Sequence, residues 1–179
     1  MIDYAHIPSP LGVIVAAAEE GAIIGLWFEG QKDFPDSSAD WRENRASPPL
    51  ARCAEQLNEY FAGKRERFDL PLAPHGTAYQ QRIWREIAAI PFGKTLGYQE
   101  LARREGNGKA ARAAGAATGR NPVSILIPCH RVVGANGALT GYAGGIHRKE
   151  QLLGLEARRN RPPASGVQTK QVSLFPKYK

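Results

Sequence analysis

The chain has 179 residues, of which 42% are hydrophobic, and a formal net charge of +7 at pH 7. This length suits one domain or two small ones, with a core that needs no disulfide or metal to be stable. No apolar run reaches the roughly 20 residues of a transmembrane helix, and the N-terminus lacks the pattern of a secretory signal, so we expect no membrane partner.

The basic charge is concentrated in the second half of the chain. Residues 1–97 carry 10 basic and 13 acidic side chains, whereas residues 98–160 carry 10 basic and 4 acidic ones. Such a concentration favours a polyanionic partner such as nucleic acid. Scattered Lys and Arg on a solvated surface would give the same balance, so charge alone leaves both interpretations open.

The two cysteines indicate a reducing compartment. Cys53 and Cys129 are far apart and form no short pairing pattern. Disulfides are rare in the cytosol, and we therefore expect a cytoplasmic protein with free thiols.

The N-terminal part begins with the pattern of a hairpin. Strand composition in Gly12–Ala18 and in Ala22–Phe28, separated by Glu19-Glu20-Gly21, predicts two paired strands and their turn. The polar residues 29–47, which include Asp36, Ser37 and Ser38, predict a loop.

A helix is predicted after Ser47, which offers an N-cap ahead of two prolines. Gly63 ends a run of apolar residues at helical spacing, namely Leu50, Cys53, Ala54, Leu57 and Phe61. Cys53 is therefore interpreted as a core residue without chemistry. Phe68 to Pro74 predicts a short strand and a linker, and we place the domain boundary between residues 76 and 77.

The second half has helix-turn-helix spacing. Thr77 opens a capping box with Gln80 ahead of an amphipathic helix. Gln99–Glu105 and Lys109–Thr118 predict two short helices around the turn Gly106-Asn107-Gly108.

Further along, a wing and a last helix are predicted. Val132-Val133 and Ala138–Tyr142, with Asn136-Gly137 as a turn signal between them, predict a small β-wing. Residues 147–158 predict the last helix. Within the second short helix we expect Ala113 and Ala117 to pack inside.

These elements predict an α+β fold. A small N-terminal α/β domain with a β-sheet (residues 1–76) would precede a mainly helical, winged helix-turn-helix C-terminal domain (residues 77–160). A flexible basic tail would follow, over residues 161–179.

The stretch Ile125–Val133 reads Ile-Leu-Ile-Pro-Cys-His-Arg-Val-Val and places His130 next to Cys129. Cysteine is a nucleophile as its thiolate, which a neighbouring base or cation favours. Arg131 adds a positive charge that would favour the anionic sulfur. A cysteine beside an apolar run is more often an inert core residue, so this adjacency alone does not decide between the two.

A wider pattern favours catalysis. Residues 121–133, followed by Gly141-Tyr142-Ala143-Gly144-Gly145, closely resemble the active-site signature of the O6-alkylguanine-DNA alkyltransferases. The resemblance continues through Tyr98-Gln99, residues 109–113 and residues 149–156, about half of the chain. It implies direct-reversal DNA repair by a single-turnover (suicide) methyltransferase. The alkyl group of O6-alkylguanine, and of O4-alkylthymine, in double-stranded DNA would pass irreversibly to the cysteine after minor-groove base flipping, without a cofactor.

The resemblance also implies catalytic roles. Cys129 would be the alkyl acceptor, His130 would deprotonate it through a water, and Glu156 would orient the imidazole. Asn121 would brace the turn around the active-site segment. Tyr142 would bond the guanine and donate a proton as the oxygen leaves. The remaining positions of the substrate pocket would be Val132, Ala143, Gly144 and Lys149.

The family's DNA contacts are matched as well. Arg112 would be the finger that fills the space left by the flipped base, and Tyr98 would crowd the target's phosphate. The other matched DNA-binding positions are Gln99, Asn107, Lys109, Ala110 and Ala111. An exposed helical arginine is usually only solvated, so these roles depend on the joint spacing relative to Cys129.

Some positions depart from the family's pattern. Gly108 stands where a proline is common in the turn, and Ala143 stands where some members have serine. Some relatives carry a structural zinc in the N-terminal domain, but here Cys53 is isolated, and His6 and His75 form no cluster. A closed zinc site needs four ligands, so we predict no metal.

The tail carries a second, shorter motif. Gln171-Val172-Ser173-Leu174-Phe175 resembles the Gln-x-x-Leu-Phe motif by which bacterial polymerases and repair proteins bind the sliding clamp. Leu174 and Phe175 would enter an apolar pocket, and Gln171 would bond at its rim. Alternatively, the two apolar side chains pack back on the body of the protein. The resemblance implies a monomer and leaves open whether copies cluster on DNA.

Two other functions stay open at this point. One is a DNA-binding module without chemistry, such as a winged-helix regulator or a lesion-flagging relative, although such relatives lack the cysteine that this chain keeps. The other is a Cys-His hydrolase unrelated to DNA. A hydrolase would turn over, whereas an alkyltransferase accepts one alkyl group per chain.

Overall fold

A four-stranded sheet forms the first part of the protein. The computed structural model describes residues 1–35 and 40–160 of the chain. The strands lie in the order β3-β2-β1-β4, with β1–β2 and β2–β3 antiparallel and β4 parallel to β1. Their bounds are β1 Asp3–Ile7, β2 Ile14–Glu19, β3 Ala22–Phe28 and β4 Arg42–Glu43. The predicted hairpin of β2 and β3 is confirmed.

Two strands of this sheet were not predicted from the sequence. Strand β1 lies ahead of the hairpin, and β4 lies within the stretch 29–47 that was predicted to be a loop. Both pair through backbone groups, and β4 is only two residues long with exposed side chains. A strand of that kind has no apolar pattern to reveal it. Asp36, Ser37 and Ser38 lie outside the described residues.

The sheet is covered on both faces. Helix α1 (Pro48–Phe61) buries Leu50, Cys53 and Leu57 in the main core. On the other side, Trp27 stacks on Trp41 with ring centroids 6.1 Å apart. Because strands buried on both faces are apolar throughout, they lack the alternation of a half-exposed strand. Cys53 is fully buried, and burial raises its thiol pKa to about 12, so the core interpretation is confirmed.

The strand predicted in Phe68–Pro74 is wrong. Only an isolated bridge forms there, between Leu72 and Ile23 of β3. Ile23 N–H donates to the carbonyl of Pro71, and Ala73 N–H donates to that of Ile23. Pro71 and Pro74 have no N–H of their own, so a ladder cannot extend through them.

The second part of the chain is mainly helical, with α2 at Ala78–Ala88, α3 at Tyr98–Glu105, α4 at Ala111–Gly119 and α5 at Ile146–Arg159. The predicted capping box is confirmed, because Thr77 and Gln80 exchange side-chain and backbone hydrogen bonds. Trp84 Nε1 donates to the carbonyl of Ala117 at 2.9 Å and fastens α2 to α4. Ala117 is buried as expected, whereas Ala113 is exposed and its predicted packing is wrong.

The predicted β-wing is wrong, because residues 132–142 form no hairpin. Val132–Val133 is strand β6, which pairs in parallel with β5 (Leu96–Gly97), and residues 138–142 form no strand. The Asn136-Gly137 turn is present, with φ of +57° and +77°. The carbonyls of Val132, Thr140 and Gly141 instead accept hydrogen bonds from the Lys149 ammonium. These contacts attach the loop to α5, whereas residues 138–142 pair with no described strand.

The predicted α+β class is confirmed, with the sheet in the N-terminal domain and the helices in the C-terminal domain. The boundary between residues 76 and 77 stays a prediction. Among residues 1–35 and 40–160, no helix has both the length and the apolar character needed to cross a membrane.

The N-terminal sheet also docks against the segment that carries Cys129. Leu26 N–H donates to the carbonyl of Pro122 at 2.8 Å, and Ser124 N–H donates to that of Leu26 at 2.9 Å. Residues 122–124 therefore extend the sheet beside β3, in a bridge between Leu26 and Val123. The sheet is one wall of the site that follows.

Candidate active site

The backbone ahead of Cys129 is tightly folded around Asn121. Its amide Nδ2 donates to the carbonyl of Ile127 at 2.8 Å, and its Oδ1 accepts from Val123 N–H at 3.0 Å. Ile125, between these contacts, has φ of +71°, which is rare for a β-branched residue. Such a conformation costs on the order of 1–3 kcal/mol and persists where the surroundings fix it. Asn121 supplies that constraint here.

Pro128 makes the last turn before the nucleophile. Its φ of −78° and ψ of 64° are those of an inverse γ-turn, which Cys129 N–H closes by donating to the carbonyl of Ile127 at 2.7 Å. A 3₁₀ turn, Cys129–Arg131, follows directly. The two turns place consecutive side chains in one buried site.

The carboxylate of Glu156, on α5, is the centre of a hydrogen-bond hub. Oε1 accepts from Tyr60 Oη at 2.7 Å and lies 2.8 Å from His130 Nε2, while Oε2 accepts from Gly93 N–H at 3.2 Å. The Arg131 guanidinium reaches both oxygens, at 2.9 and 3.0 Å. Burial alone would raise the Glu156 pKa, but His130 and Arg131 outweigh burial and lower it to about 2. Glu156 is therefore ionised at neutral pH.

An ionised Glu156 fixes the tautomer of His130. A carboxylate can only accept, so Nε2 must carry the imidazole proton and donate it. Burial lowers the pKa of His130 more than Glu156 raises it, so the ring is neutral. Nδ1 then holds a lone pair, and it has no hydrogen-bond partner among the described residues. The arrangement supplies a neutral base in the residue next to the thiol.

Cys129 itself is a protonated thiol in this structure. The residue is 6% exposed, and burial raises the pKa of its thiol, with Asn121 and Lys149 acting in the opposite direction. The resting thiol is compatible with the sequence-based expectation that a base must deprotonate it. The thiolate must be formed by transfer of the proton to a base.

The cation that favours the sulfur is Lys149, and not Arg131 as predicted. The Arg131 guanidinium donates to the Glu156 carboxylate and to the carbonyl of Ile90. Its charge is therefore balanced by Glu156 and does not act on Cys129. Lys149 is fully buried, and its ammonium donates to the carbonyl of Val132 at 2.6 Å and to that of Thr140 at 2.9 Å. Its positive charge lowers the pKa of Cys129.

Two buried hydroxyls complete the site. Tyr142 is half-buried, and burial followed by the charge of Cys129 raises its pKa well above the usual value. The hydroxyl of Ser124 opposes that rise, although neither hydroxyl completes a hydrogen bond within the described part of the chain. A protonated tyrosine next to the sulfur has a donor to offer to an incoming acceptor.

The loop around Tyr142 is held against the N-terminal sheet. Arg148 donates from Nη1 to the carbonyl of Gly144 at 2.9 Å and from Nε to that of Leu11 at 2.8 Å. Its guanidinium lies 4.5 Å from the ring centroid of Phe28. A Cβ on Gly144 would come within 2.8 Å of both Phe28 and Tyr142, so this position needs glycine. Val132 is buried and Ala143 is half-buried in the same region.

The predicted DNA-binding residues surround the starts of α3 and α4. Tyr98 is half-buried at the start of α3, and its hydroxyl donates to the carbonyl of Thr140 at 3.3 Å. Asn107 Oδ1 accepts from Lys109 N–H at 3.1 Å in the turn. Arg112 is exposed in the first turn of α4. Of the others, Gln99 is exposed, and Ala110 and Ala111 are half-buried.

Sequence reasoning missed several residues of the hub. Tyr60 is 96 positions from Glu156, and a tyrosine on an apolar helix face gives no signal of such a bond. Gly93 contributes a backbone donor that no side-chain pattern reveals.

Gln171, Leu174 and Phe175 of the tail motif lie outside the described residues. Within the described residues, no three of His, Cys, Asp and Glu are grouped as a metal site.

Comparison with known proteins assigns most of the chain to one family. The ribonuclease-like domain of 6-O-methylguanine DNA methyltransferase matches residues 2–74, and the DNA binding domain matches residues 78–158. A methylated-DNA–protein-cysteine methyltransferase of Mycolicibacterium paratuberculosis is 44% identical over 165 residues, covering 92% of this chain and 97% of the relative. One of Methanosarcina acetivorans is 46% identical over 156 residues, covering 86% and 97%. The structure of Mycobacterium tuberculosis OGT in complex with DNA is 42% identical, with a TM-score of 0.82 over 88% of this chain and 94% of that one.

Proposed function

Because the chain belongs to the 6-O-methylguanine DNA methyltransferase family, we propose that it is a methylated-DNA–protein-cysteine S-methyltransferase whose acceptor is Cys129. The substrate is double-stranded DNA that contains O6-alkylguanine, and O4-alkylthymine presents the same alkyl–oxygen bond. The observation that carries the proposal is the neutral His130, held by an ionised Glu156 in the residue next to the thiol.

The chemistry is a direct displacement. His130 Nδ1 takes the thiol proton of Cys129 through a water, and the charge of Lys149 supports the thiolate. The sulfur attacks the alkyl carbon, a C–S bond forms, and the C–O bond breaks with its electron pair moving to the guanine oxygen. Tyr142 donates a proton to the base as this bond breaks. The proton taken up by His130 then passes through solvent to reprotonate Tyr142, so the net change moves the alkyl group to sulfur and one proton, that of the thiol in the balance, to guanine.

The product explains why each chain acts once. A thioether at Cys129 has neither a proton to lose nor a good leaving group, so no side chain of the site can regenerate the thiol. Turnover is therefore limited to one alkyl group per protein. Because Cys129 is only 6% exposed, the acceptor thiol is largely shielded from solutes that would consume it.

The target base must leave the duplex to reach this sulfur, because a stacked base cannot enter a buried site. Arg112 is exposed on α4 and makes no hydrogen bond or ion pair with the described part of the chain, so it is free to occupy the vacated space. Tyr98 sits beside the same helix, since a Cβ on Gly115 would contact its ring at 3.6 Å. Positive charge on this half of the chain would hold the phosphates.

The tail motif suggests a partner besides DNA. Gln171, Leu174 and Phe175 would bind the apolar pocket of a bacterial sliding clamp and so deliver the protein to replicating DNA. A fluorescent peptide of residues 167–179 should bind the clamp and be displaced by a polymerase peptide. If the polymerase peptide binds and this one does not, the clamp proposal is lost.

The test of the main proposal is a count of repaired bases. With a duplex containing O6-methylguanine in tenfold excess over protein, repaired DNA should rise to one per protein chain and stop. A lesion-flagging module would bind the duplex and repair nothing, and a hydrolase would continue to turn over. Either of these outcomes would overturn the proposal.

A further inference from the structure

The N-terminal domain contributes a side chain to the hub that holds the catalytic base. Tyr60 lies on α1, and its hydroxyl donates to Glu156 Oε1 at 2.7 Å. The same oxygen lies 2.8 Å from His130 Nε2 and 3.0 Å from Arg131 Nη2. A carboxylate oxygen has about two lone-pair directions, so three donors compete for it.

Tyr60 is held in a position where it can only donate. The residue is fully buried, and the rings of Phe61, Phe68 and Phe92 surround it at centroid distances of 5.3, 5.4 and 6.2 Å. Burial, followed by the charge of Glu156, raises the pKa of its hydroxyl well above the usual value. The phenol therefore stays protonated at every pH at which the protein works, and its proton points at the carboxylate.

The groups around His130 and Glu156 come from four parts of the fold. Tyr60 is on α1, Arg131 and Cys129 are on the 3₁₀ turn, and Lys149 is on α5. Tyr142 acts from the loop ahead of α5, where it also raises the pKa of Tyr60. Among these groups, Tyr60 is the one neutral donor on Oε1 that comes from the N-terminal domain.

We propose that Tyr60 is a positioning residue for alkyl transfer: its hydroxyl takes up part of the negative charge of Glu156 Oε1, so that His130 stays neutral and keeps its Nδ1 lone pair free. The proposal deepens the proposed function and depends on it. The N-terminal domain then helps to set the protonation state of the catalytic base, in addition to stabilising the fold.

Removing this donor should raise the pKa of His130. In Tyr60→Phe, the negative charge of Oε1 is no longer shared with the phenol O–H. It therefore stabilises the protonated form of His130 more strongly. The acid limb of the transfer rate should move upward by about 0.5 to 1 pH unit, the equivalent of one hydrogen bond. Below that limb the rate should fall about three- to tenfold, and above it the rate should return to that of the unmodified protein.

The test uses the full chain and single-turnover transfer from an O6-methylguanine duplex between pH 5 and 9. Tyr4→Phe, in the same domain but far from the hub, is the matched control and should leave the profile unchanged. Replacing Tyr60 by a fluorinated tyrosine, whose phenol is a stronger donor, should move the acid limb downward without removing the ring. A profile that does not move in either variant, or a rate that falls equally at every pH, overturns the role of Tyr60.

A second readout separates this inference from the function on which it depends. The titration of His130, followed by NMR of its labelled imidazole, needs no substrate and should shift upward in Tyr60→Phe. If the protein transfers no alkyl group at any pH, the proposed function fails while this titration still tests the hub. If transfer occurs but the His130 titration is the same in both proteins, the inference fails alone.

Discussion

His130 Nε2 lies 2.8 Å from Glu156 Oε1, and because Glu156 is ionised, this bond determines which imidazole nitrogen is free. The free nitrogen is Nδ1, and the ring is neutral because burial lowers its pKa. The bond joins residues 26 positions apart, on the 3₁₀ turn and on α5. The proposed chemistry at Cys129 depends on this relationship.

Replacing Glu156 with glutamine should disable the base. The amide can present its NH₂ to Nε2 and so favour the opposite tautomer, and we expect the single-turnover transfer rate to fall roughly 10²- to 10⁴-fold. Arg131 would lose its buried partner, so the free energy of unfolding should fall by about 3–5 kcal/mol. Glu150→Gln, exposed on the same helix, is the control. A folded Glu156→Gln protein with a near-normal rate would contradict the assignment.

Stability should fall on acidification from about pH 6.5. His130 and Glu156 both have folded-state pKa values below their ordinary ones, so the unfolded chain binds their protons first. The contribution of Glu156 is complete above its ordinary pKa of 4.5 and is lost as the pH falls toward 2, a change on the order of 3 kcal/mol. Urea unfolding at several pH values checks this. In Glu156→Gln the loss of unfolding free energy below pH 4.5 should be smaller. An equal loss in both proteins would mean that groups other than Glu156 cause it.

Asn121→Ala should loosen the segment that carries the nucleophile. The change leaves the buried Val123 N–H without a partner and removes one of the two donors to the Ile127 carbonyl, which should lower the free energy of unfolding by about 1–3 kcal/mol. The strained φ of Ile125 can then relax, and transfer should slow more than tenfold. Asn58→Ala, exposed on α1, should change stability by less than about 0.5 kcal/mol. Unchanged stability and rate in Asn121→Ala would remove its bracing role.

Arg112→Ala should impair base flipping and leave the chemistry intact. Transfer from a duplex should slow about tenfold or more, since unstacking a base costs a few kcal/mol. Transfer from the free O6-methylguanine base needs no flipping and should keep its rate. Arg158→Ala, an exposed arginine on α5, serves as the control for lost charge. Equal slowing with both substrates would place Arg112 in the chemistry or the fold.

Much of the local structure could be predicted because its causes are local. Thr77 and Gln80 form their capping box within four residues, and the turn between β2 and β3 is marked by its own glycine. The resemblance to the alkyltransferase family implied that Cys129, His130 and Glu156 are a nucleophile, a base and an orienting carboxylate. These residues do come together, although their roles stay proposals.

The unpredicted features depend on contacts between distant residues. Tyr60 on α1 meets Glu156 on α5 across 96 positions of sequence, a contact that only the tertiary fold creates. Arg131 was expected to favour the sulfur, but a carboxylate two elements away binds it more strongly. The wing was expected from a turn signal that is present, yet Val132 and Val133 pair with the distant strand β5 and the loop after the turn is held by Lys149.

The most direct measurement of the central claim is the position of the transferred group. The protein should be incubated with an excess of duplex carrying isotopically labelled O6-methylguanine, and then analysed by intact mass and peptide mapping. We predict one added methyl group per chain, located on Cys129, present in Cys53→Ala and absent in Cys129→Ser. A label on Cys53, a second label on the chain, or an unlabelled Cys129 beside repaired DNA would contradict the account.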